Sequence, residues 1–471
     1  MSEVLSTIAV RLGAPFIDAP CEGADAAVSR IVTDTRALRP GDLLVALRGE
    51  RFDAHEFLAQ AREKGAVGAV VDHPVSDSLA QIVVPDTRLA LGLLARAHRL
   101  DWDGQLIAVT GNSGKTTVKE MLASILGRRA LTLATRGNLN NDIGAPLTLL
   151  ELAAEHRYAA IELGANHLGE IAWTTALAKP QVAIITNVTG AHVGEFGGMG
   201  QIAQAKGEIL AGLSSDGCAV LDRDEAYFPV WRALAGRARV VDYGLEDYGI
   251  RDYGIKDYGI EAGASVTARD LVCDPAGRYA FTLCLPGEAS VRVGLSLMGR
   301  HNVRNALAAA SATHALGFGA AEIAAGLEAC RSMAGRMQVV DGIRGSCVID
   351  DTYNANPGAM RAALEALSSL PSPRWCFLGA MGELGEDSER LHAEVGRSAR
   401  DLGLDFLGTY GEPARAASEA FGDEGHHFDD WAALERFAQD QLPSRASVLV
   451  KGSRSAGMER LVAALRDDAS R

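Results

Sequence analysis

The stretch LIAVTGNSGKTTVKEMLASIL, residues 106–126, decides the fold of the region around it. Its first five residues form an apolar run with the β-branched content of a buried strand, and residues 116–126 have the character of a helix. Between them lies the glycine-rich turn Thr110-Gly111-Asn112-Ser113-Gly114-Lys115-Thr116-Thr117. A strand that turns through glycines directly into a helix is the context in which such a sequence binds phosphate.

The turn has the residue types that hold a nucleoside triphosphate. Glycines let backbone N–H groups approach phosphate oxygens, and the N-terminus of the next helix adds partial positive charge. Lys115 can reach the β- and γ-phosphates, and the hydroxyl of Thr116 can ligate Mg²⁺. Position 109 is valine, where the full GxxxxGKT pattern has its first glycine. We predict an ATP site at residues 110–117, and the alternative is a strand–helix turn that binds nothing.

Short apolar strands alternate with helices along the whole chain, which predicts an α/β fold. We predict strands at 31–33, 43–47, 66–71, 106–110, 158–163, 182–187, 219–222, 347–350, 375–378, 406–409 and 448–450, and helices at 57–64, 87–99, 116–126, 201–213, 360–370 and 388–402. Residues 1–84 are expected to form a small α/β domain, residues 85–315 a doubly wound, mostly parallel domain, and residues 316–471 a second domain of nucleotide-binding style. Three domains also suit a chain of 471 residues.

The composition excludes several classes of protein. Apolar residues make up 48% of the chain and charged residues 23%, which is typical of globular proteins. A formal charge of −14 argues against nucleic acid as a partner. No apolar run approaches the roughly 18 residues of a membrane span, and the N-terminus lacks the basic segment of a signal peptide. The seven cysteines form no CxxC pair, so we expect a reducing cytoplasm and no zinc or disulfide framework.

Three polar side chains outside the turn are candidates for chemistry. Glu162 ends a predicted strand, where a carboxylate at the ligand edge of a parallel sheet can hold a hard cation. His192 follows the next strand and can ligate a metal or contact phosphate, although most loop histidines do neither. Lys206 begins a helical stretch and would by itself be interpreted as a solvated lysine.

Residues 242–260 contain an internal repeat. Asp-Tyr-Gly begins at residues 242, 247, 252 and 257, with a strict five-residue period. The repeat is either a binding loop with four tyrosines or a tandem duplication in a tolerant surface loop. We favour the duplication, because surface loops accommodate glycine-rich insertions easily.

Taken in order, the motifs of this chain resemble those of the Mur ligase family of cell-wall synthesis. The most specific are TRGNLNN (135–141), ELGAN (162–166), DDTYNANP (350–357) and GAMGELG (379–385), joined by the phosphate turn, GRHN (299–302) and GR (335–336). The resemblance is strongest to the members that add D-alanyl-D-alanine to UDP-N-acetylmuramoyl-tripeptide. The Asp-Asn-Pro-Arg signature of the members that add the preceding diamino acid is absent from the sequence.

The resemblance implies a fold of three domains. These are a small N-terminal α/β domain for the UDP-sugar, a central doubly wound P-loop ATPase domain, and a C-terminal Rossmann-like domain for the incoming dipeptide. It also implies an ATP-dependent peptide ligase that activates the tripeptide as an acyl phosphate and joins it to D-Ala-D-Ala, giving the pentapeptide precursor of peptidoglycan. We expect a cytoplasmic monomer that has no nucleic-acid partner.

The residues that the resemblance implies for catalysis are Lys115, Glu162, His192, Lys206 and Arg336. Thr116 and Glu162 would hold one Mg²⁺, and His192 with Lys206 a second. The lysine that matches Lys206 is carbamylated in the family, which turns a cation into the oxygen ligand that Mg²⁺ prefers. Arg336 would reach the γ-phosphate when the C-terminal domain closes.

The remaining implied contacts concern the nucleotide and the other two substrates. Asn302 would contact adenine, and Asp351 would accept hydrogen bonds from the ribose of ATP. The other contacts fall in three places: Ser29, Asp34, Thr35, Arg36, Arg48 and Gly49 for the uridine diphosphate, Asn138 and Asn141 for the peptide, and Lys451 and Ser453 for the dipeptide. Where the family usually has Asp-Gly-His, this chain has Asp53-Ala54-His55.

Other functions stay open at this point. One is a sibling ligase that adds a single amino acid, and another is a folylpolyglutamate synthetase-like ligase. A regulatory P-loop switch would carry a guanine-selecting Asn-Lys-x-Asp motif, which the sequence lacks. A wall-synthesis scaffold with an idle ATP site is a further alternative. The sequence decides neither the third residue of the tripeptide, diaminopimelate or lysine, nor the group that deprotonates the amine.

Overall fold

The structure is a computed structural model that describes residues 3–14, 16–17, 26–49, 52–189, 198–245 and 264–467. His192 and the second to fourth copies of the Asp-Tyr-Gly repeat lie outside these residues. Within the described ranges, no helix is both long enough and apolar enough to cross a membrane.

The regular elements follow one another along the chain in three stretches. Up to residue 110 they are β1 (Glu3–Val4), α1 (Leu5–Leu12), β2 (Phe16–Ile17), β3 (Ala27–Val28), β4 (Arg30–Val32), β5 (Asp42–Val45), α2 (Leu58–Glu63), β6 (Gly68–Val71), β7 (Gln81–Val83), α3 (Thr87–Leu100) and β8 (Gln105–Thr110). Up to residue 329 they are α4 (Lys115–Leu126), β9 (Thr132–Ala134), α5 (Gly144–Leu150), β10 (Tyr158–Glu162), α6 (Glu170–Ala178), β11 (Val182–Ile185), α7 (Met199–Gly207), β12 (Cys218–Asp222), α8 (Phe228–Leu234), β13 (Arg239–Leu245), β14 (Val266–Cys273), β15 (Arg278–Cys284), β16 (Val291–Met298), α9 (His301–Ala315) and α10 (Ala320–Ala329). The remaining elements are β17 (Gln338–Asp341), β18 (Cys347–Asp351), α11 (Pro357–Ser368), β19 (Arg374–Gly379), α12 (Ser388–Asp401), β20 (Phe406–Tyr410), α13 (Arg415–Phe421), β21 (Gly425–Phe428), α14 (Trp431–Gln441), β22 (Ser447–Lys451) and α15 (Glu459–Leu465).

The chain divides into two compact units. The first contains residues 1–108, 130–165 and 169–181, and the second contains residues 109–129, 166–168 and 182–471. Strand β8 is therefore shared, since its first four residues belong to the first unit and its last two to the second.

The first unit is built on a five-stranded sheet with the order β2-β7-β6-β5-β4. Strands β4 to β7 are parallel, and β2 is antiparallel to β7. Leu43 joins the buried cluster on one face of the sheet, and Leu44 joins the cluster on the other. A parallel sheet that is buried on both faces is encoded by continuous apolar runs, so the strands predicted at 43–47 and 66–71 are confirmed as β5 and β6. The same unit contains the antiparallel pair β1–β3 and the parallel pair β9–β10.

In the second unit, one run of strands has the order β16-β15-β14-β13-β12-β11. Strands β11 to β14 are parallel, as predicted for the central domain, but β14, β15 and β16 are antiparallel. Buried and exposed residues largely alternate along β16, because hairpin-linked strands can leave one face in water. The helix predicted at 201–213 is observed as α7 followed by a 3₁₀ turn at Glu208–Gly212.

The rest of the second unit is a six-stranded sheet with the order β17-β18-β22-β19-β20-β21. All neighbouring strands are parallel except β17, which is antiparallel to β18. Buried clusters lie on both faces of this sheet. The α/β class and its parallel-rich sheets are confirmed, while the domain boundaries near residues 84 and 315 stay predictions.

Arg99 links the ends of two helices in the first unit. Its side chain is buried near the C-terminus of α3 and donates hydrogen bonds to the carbonyl oxygens of Ala178 (2.8 Å) and Lys179 (3.1 Å), where α6 ends. It also donates to the carbonyl of Trp102 (3.2 Å) and lies over the Trp102 ring. The last carbonyls of a helix have no partner within the helix, so this guanidinium supplies one.

We expect Arg99→Met to lower the free energy of unfolding of the first unit by about 3 kcal/mol, because buried carbonyl groups would lose their donors. Urea denaturation followed by tryptophan fluorescence measures this change. Arg96→Met is the matched control on α3, where a partly exposed arginine is removed. An equal and small effect of both substitutions would contradict this account of Arg99.

Candidate active site

The glycine-rich turn between β8 and α4 has a backbone that only glycine adopts readily. Gly111 has a φ of +142° and Gly114 a φ of +81°, both in the region disfavoured for other residues. A Cβ atom at Gly111 would overlap the hydroxyl of Thr186, and one at Gly114 would lie 2.5 Å from Oδ1 of Asn305. The turn therefore needs glycine at both positions for conformational and for steric reasons.

The turn is braced by the residues that follow β11. Asn187 accepts a hydrogen bond from the Ser113 N–H (2.9 Å) through Oδ1, and its Nδ2 donates to the Ser113 carbonyl (3.0 Å). The backbone carbonyl of Asn187 accepts from the Asn112 N–H (3.0 Å), and the Thr186 hydroxyl donates to the Ser113 carbonyl (2.7 Å). Sequence reasoning missed Thr186 and Asn187 as site residues, although polar residues directly after a buried strand are a usable signal.

Lys115 and Thr116 occupy the first turn of α4. The ammonium of Lys115 folds back over the turn and donates to the carbonyls of Gly111 (2.8 Å) and Asn112 (3.2 Å). Thr116 is almost completely buried, as is Thr110 at the end of β8, and Thr117 is half-buried. The structure thus concentrates positive charge and a hydroxyl at the N-terminus of a helix, where anions are stabilised.

Asn302 lies on α9, within a chain of amide contacts that leads to the turn. Its Nδ2 donates to the carbonyl of Met298 (2.7 Å), and its Oδ1 accepts from Nδ2 of Asn305 (2.9 Å). Asn305 in turn lies beside Gly114. Asn302, which is predicted to contact adenine, therefore already uses its side-chain amide to hold α9 against the end of β16.

A cluster of carboxylates follows β12, which sequence reasoning did not single out. The guanidinium of Arg304 pairs with Asp222 (2.6 Å) and Asp224 (2.7 Å). Glu225 lies with its carboxylate 3.5 Å from the Val188 N–H, and burial, assisted by the charge of Asp222, raises the pKa of Glu225 to about 7. Through Arg304, this cluster links α9 to the end of β12, which is the neighbour of β11 in the sheet.

Lys206 and Arg336 lie on different elements of the second unit. Lys206 is almost completely buried on α7, so it is not the solvated lysine that its local sequence indicates. The guanidinium of Arg336 lies 4.0 Å from the centre of the Tyr353 ring. Gly335, at a φ of +72°, donates its N–H to Asp350 (3.1 Å), which fixes the backbone next to Arg336.

The ends of β18 and β22 bring the predicted ribose and dipeptide residues together. The ammonium of Lys451 donates to Oδ2 of Asp351 (2.6 Å), and the hydroxyl of Ser453 donates to the carbonyl of Ala380 (2.6 Å). Nearby, Nδ2 of Asn356 lies 3.4 Å from the hydroxyl of Ser113 in the phosphate turn. The structure therefore places the segment 351–356 next to the turn, with Lys451 and Ser453 engaged in internal contacts.

Glu162 is buried at the end of β10 in the first unit. Its Oε1 accepts a hydrogen bond from Nδ2 of Asn140 (2.8 Å), and its backbone N–H donates to the hydroxyl of Thr135 (2.9 Å). Asn141, a predicted peptide contact, instead accepts the Gly144 N–H (2.8 Å) at the start of α5. Asn138 is exposed. Sequence reasoning missed Asn140 within the TRGNLNN motif, because three asparagines at such spacing look equivalent.

The N-terminal sheet brings most of the predicted uridine-diphosphate residues to one edge. Asp34, Thr35 and Arg36 follow β4, and Arg48 and Gly49 follow the parallel strand β5. Carboxyl ends of parallel strands share one edge of a sheet, which is the usual ligand edge.

Ser29 is not part of this group. It precedes β4, where its N–H donates to the Gly41 carbonyl (2.8 Å), and so lies at the opposite edge of the sheet.

Both arginines of the ligand edge have carboxylate partners. Arg36 pairs with Asp34 (2.7 Å), and Arg48 pairs with Asp53 (2.9 Å). Burial opposes the ionisation of Asp53, but hydrogen bonds from the backbone and ring of His55 and from Arg48 outweigh it and lower the pKa of Asp53 to about 2. Ala54 begins a 3₁₀ turn without a positive φ, so alanine serves at the position where the family usually has glycine.

Known proteins resemble this chain in both sequence and structure. Residues 109–313 match the family described as Mur ligase middle domain, and residues 335–454 match Mur ligase, glutamate ligase domain. The chain is 42% identical over 458 residues to the UDP-N-acetylmuramoyl-tripeptide--D-alanyl-D-alanine ligase of Escherichia coli (strain K12), with 96% of this chain and 97% of that protein covered.

Two solved structures agree with the sequence match. MurF from Acinetobacter baumannii superimposes with a TM-score of 0.90 at 38% identity, covering 98% of each chain. MurF from Thermotoga maritima in complex with ADP gives a TM-score of 0.80 at 27% identity, covering 92% of this chain and 96% of that one. Two domain matches that span most of the chain, and a relative 42% identical over almost its whole length, show that this chain belongs to the Mur ligase family.

Proposed function

We propose that this chain joins D-alanyl-D-alanine to UDP-N-acetylmuramoyl-tripeptide with cleavage of ATP, giving the pentapeptide precursor of peptidoglycan. The observation that carries the proposal is the 42% identity over 96% of the chain to a ligase named for that reaction. The braced glycine turn with Lys115 and Thr116 supports it independently, because a ligase of this kind must hold a triphosphate.

The nucleotide is proposed to bind at residues 110–117. A relative with a TM-score of 0.80 was solved in complex with ADP, which supports ATP as the nucleotide for this chain. Asn302 and Asp351 are the proposed contacts for adenine and ribose, and both lie in the second unit with the turn. Lys115 and Arg336 are the proposed contacts for the β- and γ-phosphates, since an ammonium and a planar guanidinium suit phosphate oxygens.

Mg²⁺ fits the donor groups that this chain provides. The proposed ligands of one ion are buried side-chain oxygens, the hydroxyl of Thr116 at the start of α4 and the carboxylate of Glu162 at the end of β10, and Mg²⁺ prefers hard oxygen ligands. His192, as a nitrogen ligand, and Lys206, as a carbamate, are the proposed ligands of a second Mg²⁺. When bound, Mg²⁺ neutralises the charge of the triphosphate and of the phosphoryl group in transfer.

The reaction requires two anions to meet, because the tripeptide carboxylate attacks the γ-phosphate of ATP. Lys115 and Arg336 lower that electrostatic barrier by binding the phosphate oxygens. This attack releases ADP, and the resulting acyl phosphate is a good electrophile. The amine of D-Ala-D-Ala then loses a proton and displaces inorganic phosphate from it to form the peptide bond. Water must be excluded meanwhile, since it would hydrolyse the acyl phosphate.

We propose that the three substrates are distributed along the chain. Residues 1–84 bind the uridine diphosphate through the edge that carries Arg36 and Arg48, residues 85–315 bind ATP, and residues 316–471 receive the dipeptide. The exposed Asn138 is the proposed contact for the tripeptide, and the loop at 379–385 is the proposed contact for the dipeptide. A reducing cytoplasm and a monomeric state remain part of this proposal.

Phosphate release tests the proposed reaction directly. With ATP and Mg²⁺ present, we expect sustained release only when UDP-tripeptide and D-Ala-D-Ala are supplied together, because the amine must capture the acyl phosphate. Mass spectrometry should then show the pentapeptide product. Sustained release with a single amino acid in place of the dipeptide, such as diaminopimelate or glutamate, would instead identify a sibling ligase.

Lys115→Ala is expected to lower kcat/KM for ligation by at least about 100-fold, because the phosphates lose their ammonium partner. Steady-state phosphate release measures the loss. Lys179→Ala, at an exposed lysine of the first unit, is the control and should keep full activity. Ligation by the Lys115 variant at the control's rate would place the phosphates elsewhere.

Lys206→Ala should also lose most ligation if the lysine acts as a carbamate. Short carboxylic acids added to this variant are expected to restore part of the turnover, because a free carboxylate can supply the missing oxygen ligand. Rates with and without acetate or formate measure the rescue. A fully active variant without any added acid would refute the carbamate.

A further inference from the structure

Lys451 and Asp351 meet where two central strands of the six-stranded sheet end. Strands β18 and β22 are parallel neighbours, and their last residues, Asp351 and Lys451, are opposite each other in the register. Both side chains therefore leave the sheet at the same edge, and the ammonium of Lys451 lies 2.6 Å from Oδ2 of Asp351. The Lys451 side chain is 3% exposed and that of Asp351 is 14% exposed.

The hydrogen-bonding capacity of the Lys451 ammonium is filled within the protein. An ammonium has three N–H donors and no acceptor. The acceptors around it are Oδ2 of Asp351, the carbonyl of Asn354 at 2.8 Å and, more distantly, the carbonyl of Asp351 at 3.5 Å. A dipeptide carboxylate would have to displace a buried ion pair to reach this lysine, so the contact predicted from its position alone is not favoured.

Asp351, in contrast, keeps acceptor capacity toward solvent. A carboxylate offers about four lone-pair sites. One oxygen accepts from Lys451, and the other accepts from the backbone N–H of Met337 at 3.1 Å. The two bonds fix the carboxylate on both sides and leave sites for two ribose hydroxyls, which is the role proposed for Asp351.

The ammonium also balances a charge that would otherwise repel the nucleotide. Asn356 lies 3.4 Å from the hydroxyl of Ser113, so the segment that begins at Asp351 runs next to the phosphate turn. An uncompensated carboxylate in this largely buried place would be unfavourable by itself and would oppose the approach of a triphosphate.

We propose that Lys451 is a positioning residue for the nucleotide: it orients and neutralises Asp351 so that this carboxylate accepts the ribose of ATP, and it does not bind the incoming dipeptide. The inference rests on the proposed ATP site. From the sequence, Lys451 was expected to contact the dipeptide; here it contributes instead to the affinity for ATP. Its effect is exerted through Asp351.

The first measurement is the binding of a non-hydrolysable ATP analogue with a β,γ-methylene bridge, in the presence of Mg²⁺, by titration calorimetry. We expect Lys451→Met to weaken binding of the analogue by about tenfold or more, while the KM for D-Ala-D-Ala changes by less than about threefold. Lys179→Met is the matched control and should leave both values unchanged. A rise in the KM for the dipeptide with unchanged analogue affinity would overturn the proposal.

Lys451→Met alone leaves the Asp351 carboxylate buried without its partner and so can destabilise the protein. A second comparison tests the proposal even in that case. Asp351→Asn and the double variant Asp351→Asn/Lys451→Met differ only at the lysine. If Lys451 acts through Asp351, the two variants bind the analogue with the same affinity and have the same KM for the dipeptide, within about threefold. A larger difference in either value would refute the proposal.

These outcomes are separate from the fate of the proposed function. If the wild-type protein does not bind the analogue, the nucleotide site itself is wrong. If it binds the analogue but forms no product with D-Ala-D-Ala, the proposed substrate is wrong, and the calorimetric comparison still tests Lys451.

Discussion

The sharp turn between β8 and α4 is the constraint on which the proposed nucleotide site depends. Its backbone takes left-handed conformations at Gly111 and Gly114, and the neighbouring side chains leave no room for a Cβ atom at either position. Two N–H groups of the turn, those of Asn112 and Ser113, are used by Asn187 rather than presented to a ligand. The turn is therefore held in place by protein contacts before any phosphate arrives, and a preorganised site loses less conformational entropy when it binds.

The same need for partners explains why several predicted contacts are internal ones. Polar side chains at the ends of buried strands lie where water is scarce, so each must find a donor or acceptor nearby. Lys451 at the end of β22 donates to Asp351, and Ser453 donates to the carbonyl of Ala380 in the loop at 379–385. Polar side chains that are hydrogen-bonded in this way shape the edge of the sheet. They can contact a ligand only if they have a donor or acceptor that the protein does not already use.

Much of the fold could be predicted because parallel strands buried on both faces have unbroken apolar runs, as in β5, β8 and β22. Strands β14 to β16 escaped prediction, since one exposed face interrupts their apolar pattern with polar residues. In the candidate site, the turn and the buried Glu162 follow from local sequence. The contact of Asn140 with Glu162 does not follow from the sequence, because only tertiary contacts decide which of the three asparagines in TRGNLNN reaches the carboxylate.

The chain carries a formal charge of −14, yet its proposed nucleotide is also an anion. At physiological ionic strength, charges farther apart than about 8 Å are largely screened, so the groups next to the turn decide the affinity. There the Lys451–Asp351 pair has no net charge, and the ammonium of Lys115 folds over the turn and donates to the carbonyls of Gly111 and Asn112. In the proposed binding mode, the ammonium of Lys115 attracts the phosphates, and the pairing with Lys451 prevents Asp351 from opposing that attraction. The proposed arrangement would let the protein keep a carboxylate for the ribose in the same site as an ammonium for the triphosphate.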